Sequence, residues 1–142
     1  MIWGHRGHRH HRVPERYFQP AYENSLQAYA DALSVCAGLE CDVVQSSDGT
    51  GYLIHDTLFE GIVRYELKTH LDEKSKQIVG NQFIYQMSDK QIADIRLKDG
   101  QPLPRLRQLF ELMKKYPNRV LNLEVKGPHT ADMTVGAVER AI

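Results

Sequence analysis

Apolar positions fall into two kinds of stretch along the chain: short runs of branched residues, and longer segments with helical spacing. Met1-Ile2-Trp3-Gly4-His5-Arg6 begins apolar and ends polar, and is expected to be the first strand. Gly7 to Tyr22 has no period, carries three Arg, three His and two Pro, and reads as a long loop. From Glu23 to Ala37, Leu26, Tyr29, Ala30, Leu33 and Ala37 recur at helical spacing. Asn24 or Ser25 can cap the start of that helix and Gly38 can end it. Leu39-Glu40-Cys41-Asp42-Val43-Val44 is the second strand, followed by the turn residues Ser46-Ser47-Asp48-Gly49. Gly51 to His55 is a third short strand, with Asp56 directly after it.

The stretch 57–101 is the least regular. Leu67 to Lys76 is charged with some helical character, Gln77 to Gln86 is mixed and read as extended, and Ser88 to Leu97 is a short helix capped by Ser88. A segment of this length in place of a tight connection is expected to be an insertion or a functional loop. Pro104 to Tyr116 is a helix with Leu106, Leu109, Phe110 and Met113 on one stripe, and Lys114 and Lys115 near its C-terminal end. Val120 to Lys126 is a fourth strand with Asn122, Glu124 and Lys126 on one face. Gly127 and Pro128 break it, and Ala131 to Ile142 begins another helical pattern. Strands alternating with helices imply a parallel sheet covered by helices, an α/β fold, whose ligands bind at the carboxyl ends of the strands.

Composition narrows the picture little. The 142 residues suffice for one compact domain, 42% hydrophobic and 25% charged residues are ordinary globular values, and the formal net charge is +0. No global charge therefore points to nucleic acid or an anionic membrane, and no apolar run is long enough to span a bilayer. No signal peptide is visible, and Cys36 and Cys41 read as reduced thiols, so a cytoplasmic protein is expected.

The candidate chemistry lies at the strand ends. Side chains alternate along a strand, so Glu40 and Asp42 share a face that is costly to desolvate without a compensating cation. Glu124 supplies a third carboxylate, and an oxygen-only set suits Mg²⁺ or Ca²⁺. Arg6 and Lys126 suit an anionic substrate beside that ion. His5 and His55 can move protons on either side of a phosphate, so the set makes a metal-assisted phosphodiester cleavage site. Each residue also has a plainer reading. Glu40 and Asp42 can be the solvated face of an edge strand, His55 a loop residue, Lys126 a strand-end charge, and Tyr17, Phe18 and Tyr22 loop packing. The Gly7 to Arg12 stretch reads as a solvated basic loop, because no acid or Cys accompanies its histidines at ligand spacing.

As a set, these motifs resemble the glycerophosphodiester phosphodiesterases. Gly4-His5-Arg6-Gly7 is similar to the opening motif of that family, and Tyr22-Glu23-Asn24-Ser25 to its Pro-Glu-Asn-Thr motif, with Tyr and Ser as departures. Glu40-Cys41-Asp42 resembles its acid-x-acid pair, His55-Asp56 its His-Asp pair, and Asn122-Leu123-Glu124-Val125-Lys126 its Asn-x-Glu-x-Lys strand. Leu103-Pro104-Arg105-Leu106 is similar to the segment leading into its third helix.

The resemblance implies a (β/α)₈ barrel of TIM type, with residues 1–142 forming about its N-terminal half, strands one to four, and 57–101 a small insertion after strand three. It implies a divalent cation on Glu40, Asp42 and Glu124, His5 and His55 as general acid and base, Arg6 and Lys126 on phosphate, and Glu23 shaping the site. It further implies hydrolysis of a small-molecule glycerophosphodiester to glycerol 3-phosphate and an alcohol, with the neighbouring glycerol hydroxyl attacking phosphorus first. A full barrel takes roughly 200 residues or more, so this chain is expected to be a fragment of a longer protein, or to self-associate if the half-barrel is the whole chain. Two other readings stand beside this one: a sphingomyelinase D-like enzyme that cleaves phospholipid, and a truncated, non-catalytic fragment that binds only a cation or phosphate.

Overall fold

The computed structural model describes residues 3–7, 24–55, 57–59, 62–64 and 71–126. Glu23, Asp56, most of the His/Arg-rich loop, and the pattern expected from Ala131 to Ile142 lie outside these residues. In chain order the strands are β1 (Trp3–His5), β2 (Gly38–Gln45), β3 (Gly51–Leu53), β4 (Thr57–Phe59), β5 (Ile62–Arg64) and β6 (Val120–Val125). The helices are α1 (Leu26–Val35), α2 (Glu73–Val79), α3 (Asp89–Ile92) and α4 (Leu106–Met113), with a 3₁₀ turn at Ile84–Gln86.

Strand β2 is the centre of a four-stranded sheet; β4 and β5 form a separate hairpin. Both β1 and β6 run parallel to β2, with His5 opposite Glu40, Asn122 opposite Glu40, and Glu124 opposite Asp42. The order β1-β2-β6, with α1 after β1 and α4 before β6, is an arc of a parallel α/β barrel. One strand runs against expectation: β3 is antiparallel to β2. The connection between them is the five-residue turn 46–50, closed by bonds from Ser46 N–H to the Thr50 carbonyl at 2.9 Å and from Gly49 N–H to the Ser46 carbonyl at 3.0 Å. A parallel return needs a crossover of a dozen residues or more, so so short a link forces a hairpin. The Glu40 carbonyl accepts from Arg6 and the Asp42 carbonyl from Ile54, whereas the Val43 carbonyl accepts from Lys126. Residues two apart on a strand present their carbonyls to the same edge, so β3 lies on the β1 side of β2, beyond the end of β1.

The two faces of β2 have different covers. Leu39, Cys41 and Val43 pack with Tyr29, Ala32 and Leu33 of α1 and with Leu106 and Leu109 of α4. On the other side of the hairpin, Val44, Tyr52 and Ile54 join Leu71, Val79, Ile84, Met87 and Ile92 in a second core. That leaves Glu40 and Asp42 on the face that α1 and α4 do not cover.

Local signals explain most boundaries. Ser25, not Asn24, caps α1, its hydroxyl accepting from Ala28 N–H at 3.1 Å. Of the helical character expected from Leu67 to Lys76, residues 67–70 lie outside the described residues; α2 begins at Glu73, where Asp72 accepts from Ser75 N–H at 2.7 Å. The extended reading of Gln77 to Gln86 is corrected: α2 runs on to Val79, and a 3₁₀ turn spans Ile84–Gln86. Ser88 caps α3 as expected. Asp89 on that helix then receives the hydroxyls of Ser46 at 2.7 Å and Tyr52 at 3.2 Å on Oδ1, and of Thr50 on Oδ2. This clamp fastens the 46–50 turn to the second core. Burial acts to raise the Asp89 pKa, but hydrogen bonds from Thr50, Ser46 and Tyr52, with Arg105 nearby, bring it below the ordinary carboxylate value.

Gly7 has φ +73, and an added Cβ would lie 2.8 Å from the Ala28 carbonyl carbon. We predict that Gly7→Ala destabilises by about 2 kcal/mol or more in urea titrations, combining left-handed strain with overpacking. Gly100→Ala, at φ +85 with nothing within 4 Å, is predicted to lose only the strain component. A second prediction concerns pH. Because the folded state depresses the Asp89 pKa, the unfolded chain binds more protons as pH falls below about 4, so wild type loses stability through that range. Asp89→Asn should lack this component when urea midpoints are compared across pH.

Candidate active site

The functional side chains converge through sheet register. His5, Glu40 and Asn122 occupy one row across β1, β2 and β6, and Asp42 and Glu124 occupy the next row toward the carboxyl ends. Neighbouring strands lie about 4.8 Å apart, so equal register brings side chains of one face into contact. Carboxylate oxygens of Glu40, Asp42 and Glu124 lie within 4.8 Å of one another. Acids far apart in sequence, on the neighbouring strands β2 and β6, thus meet.

The remaining groups surround these acids. The Arg6 guanidinium is at 3.1 Å (Nε) from Asp42 Oδ2, and Lys126 Nζ is 3.5 Å from Asp42 Oδ1. Lys126 also donates to Glu124 Oε1. His5 Nε2 is 3.6 Å from Glu40 Oε2, and the His5 side chain is 65% exposed on the open side. His55 follows β3, whose hairpin is extended by a bond from Ile54 N–H to the Asp42 carbonyl at 3.1 Å. A positive charge on His55 would favour the ionised forms of Asp42 and Glu124. The plainer readings fail here for Asp42: β2 is a central strand, and the Asp42 side chain is only 1% exposed.

Electrostatics separates the three acids. Burial raises the Asp42 pKa, and Glu124 adds to this, against His55, Arg6 and Lys126. Burial likewise raises Glu40, with Asp42 reinforcing it, against the Arg6 N–H and His5. Glu124 is more exposed, and its hydrogen bond from Lys126 lowers its pKa. Behind the acids, burial pushes up the Cys41 thiol, with the charges of Glu40 and Asp42 adding to the shift. Cys36 and Cys41 are both free and buried.

A hard divalent cation fits this donor set. Glu40 Oε1 and both Asp42 oxygens are buried and accept no hydrogen bond among the described residues. Buried carboxylate oxygens with unused lone pairs are costly, and an oxygen-only group of three suits Mg²⁺ or Ca²⁺. Glu23 lies outside the described residues. Asn24 beside it is buried, its N–H donating to the Arg6 carbonyl at 2.7 Å and its Oδ1 accepting from the Tyr29 hydroxyl. In the sequence, Asn24 stands out only as a candidate cap and Tyr29 only as a member of the helical repeat. The bond from Asn24 to the Arg6 carbonyl, and the one from Tyr29 to Asn24, have no signature in the sequence beyond the position of Asn24 next to Ser25.

The profile of the glycerophosphoryl diester phosphodiesterase family matches residues 5–140, which takes in every site residue named above. The chain belongs to this family. Solved structures agree on the fold. A phosphodiesterase from Oleispira antarctica, solved with its product sn-glycerol-3-phosphate, is similar with a TM-score of 0.69 at 21% identity, over 99% of this chain and 50% of that one. A glycerophosphodiester phosphodiesterase from Parabacteroides distasonis gives 0.62 at 23% identity, over 88% of this chain and 48% of that one. One from Agrobacterium tumefaciens gives 0.60 at 23% identity, over 92% and 51%. The chain thus spans about half the length of these family structures. No curated protein matches it. Among the described residues, no helix is long and apolar enough to cross a membrane.

A raised folded-state pKa means that the native chain holds protons more tightly than the unfolded chain, so stability falls as pH climbs above the ordinary carboxylate range. Melting curves without divalent ions should therefore show Tm declining upward from about pH 4. Asp42→Asn is predicted to flatten part of that decline; an unchanged slope would show that ionised Asp42 is no burden to the fold.

Proposed function

We propose that this chain carries the metal and acid–base machinery of a glycerophosphodiester phosphodiesterase, hydrolysing glycerophosphodiesters to glycerol 3-phosphate and an alcohol. The observation that carries the reading is the meeting of three carboxylates within 4.8 Å, with the His5 imidazole and the cationic Arg6 and Lys126 beside them. In this reading residues 1–142 are part of a (β/α)₈ domain, with 57–101 an insertion in it. The free thiols fit the proposed cytoplasmic setting.

Glu40, Asp42 and Glu124 would hold Mg²⁺ or Ca²⁺, which when bound polarises the phosphoryl oxygens and offsets the charge of the acids. Arg6 and Lys126 hold the anionic phosphate from the side of Asp42. One imidazole of the His5 and His55 pair takes the proton of the glycerol hydroxyl next to the phosphate as its oxygen bonds to phosphorus. The other gives a proton to the departing alcohol oxygen as the phosphorus–oxygen bond breaks. Water then opens the cyclic phosphate, and the two imidazoles return to their starting protonation states. Proton transfer by a placed side chain contributes about 10²–10⁴-fold, so each histidine has a measurable share.

The test is release of glycerol 3-phosphate from glycerophosphocholine or glycerophosphoethanolamine. Activity should stop with a chelator and return with Mg²⁺ or Ca²⁺. His5→Ala and His55→Ala should each lower kcat by about 100-fold or more. Losses of only a few-fold would remove them from the catalytic role. Saturable metal binding by the folded chain without turnover would select the cation-binding fragment instead.

A further inference from the structure

Arg6 and Asn24 are the two non-glycine residues with positive φ among the described residues, at 51° and 56°. They stand at the two ends of the His/Arg-rich loop, and each is bonded to the other's neighbourhood. Arg6 N–H donates to the Glu40 carbonyl at 2.9 Å and to Glu40 Oε2 at 3.1 Å. The Arg6 carbonyl accepts from Asn24 N–H at 2.7 Å. Asn24 in turn receives the Tyr29 hydroxyl on Oδ1, from a tyrosine that is fully buried in the first turn of α1. Gly7 completes the junction, since an added Cβ there would lie 2.9 Å from Tyr29 N.

Packing alone does not ask for that hydroxyl. Tyr29 sits in an apolar cluster with Ala32, Leu33 and Leu39, where a phenyl ring fills the same space. A buried hydroxyl is tolerated when it has a partner, and its partner here is the residue that holds Arg6. We propose that Tyr29 is a positioning residue for the phosphate site. Its hydroxyl fixes Asn24, Asn24 fixes the Arg6 carbonyl, and the left-handed Arg6 backbone then directs the guanidinium onto Asp42 and the phosphate beside it. This inference rests on the reading of Arg6 as a phosphate ligand.

The experiment compares Tyr29→Phe, Ser25→Ala and Arg6→Gln in the full chain. The readouts are calorimetric binding of Mg²⁺ alone, binding of sn-glycerol 3-phosphate with Mg²⁺ present, the Tm, and the NMR signal of the Arg6 Nε–H. Tyr29→Phe should weaken glycerol 3-phosphate about three- to tenfold, the scale of one lost hydrogen bond. It should also shift or broaden the Arg6 signal and leave Mg²⁺ affinity within about twofold. Ser25→Ala removes only the cap of α1, so it should lower Tm while leaving glycerol 3-phosphate affinity and the Arg6 signal unchanged. Wild-type affinity and an unmoved Arg6 signal in Tyr29→Phe, with affinity lost in Arg6→Gln, would overturn the positioning role and keep the phosphate reading. Wild-type affinity in Arg6→Gln as well would overturn both.

Discussion

A single carboxylate buried on a central strand sets the terms for this molecule. Asp42 lies between partners on both edges of β2 and is almost wholly removed from water. A charge in that position is held only if opposite charges reach it. Arg6 comes from the end of β1, Lys126 from the end of β6, and His55 from beyond β3. The same demand gathers Arg6 and Lys126 against Asp42 from both edges of β2.

The surrounding architecture serves that convergence in two ways. Strand register delivers the acids: equal offsets on β2 and β6 put Asp42 opposite Glu124 with no contribution from loops. The junction of β1 with α1 delivers the cation. Gly4 allows β1 to approach Ala32, Gly7 allows the chain to turn against Ala28, and Arg6 between them adopts a backbone that a side chain disfavours. The Gly-His-Arg-Gly motif is therefore a packing requirement at its two glycines. The second core has a separate task. Through Asp89 it holds the turn that leads into β3, and so it sets where His55 emerges.

Residues that act through backbone or local pattern were legible in the sequence. The alternation of Glu40 and Asp42, the spacing of Asn122, Glu124 and Lys126, the caps at Ser25 and Ser88, and the stripe of α4 follow from periods of 2.0 and 3.6 residues. Where competing local signals were close in strength, boundaries slipped. Asp72 caps α2, which occupies part of the Gln77 to Gln86 stretch read as extended. The antiparallel course of β3 was within reach of sequence reasoning, since a five-residue link excludes a crossover, but the expectation of a parallel fold overrode it.

The sequence by itself determined β1, β2, β3 and β6 and most of the described helices, though not the β4–β5 hairpin, because hydrophobic period and side-chain type are local properties. Tertiary structure alone decided that Glu40, Asp42 and Glu124 share one small volume, that Asp42 is the most buried of them, and that Asp89 holds the distant 46–50 turn in place. Those outcomes depend on strand order, register and desolvation. Each arises only when residues far apart in the chain exclude water together.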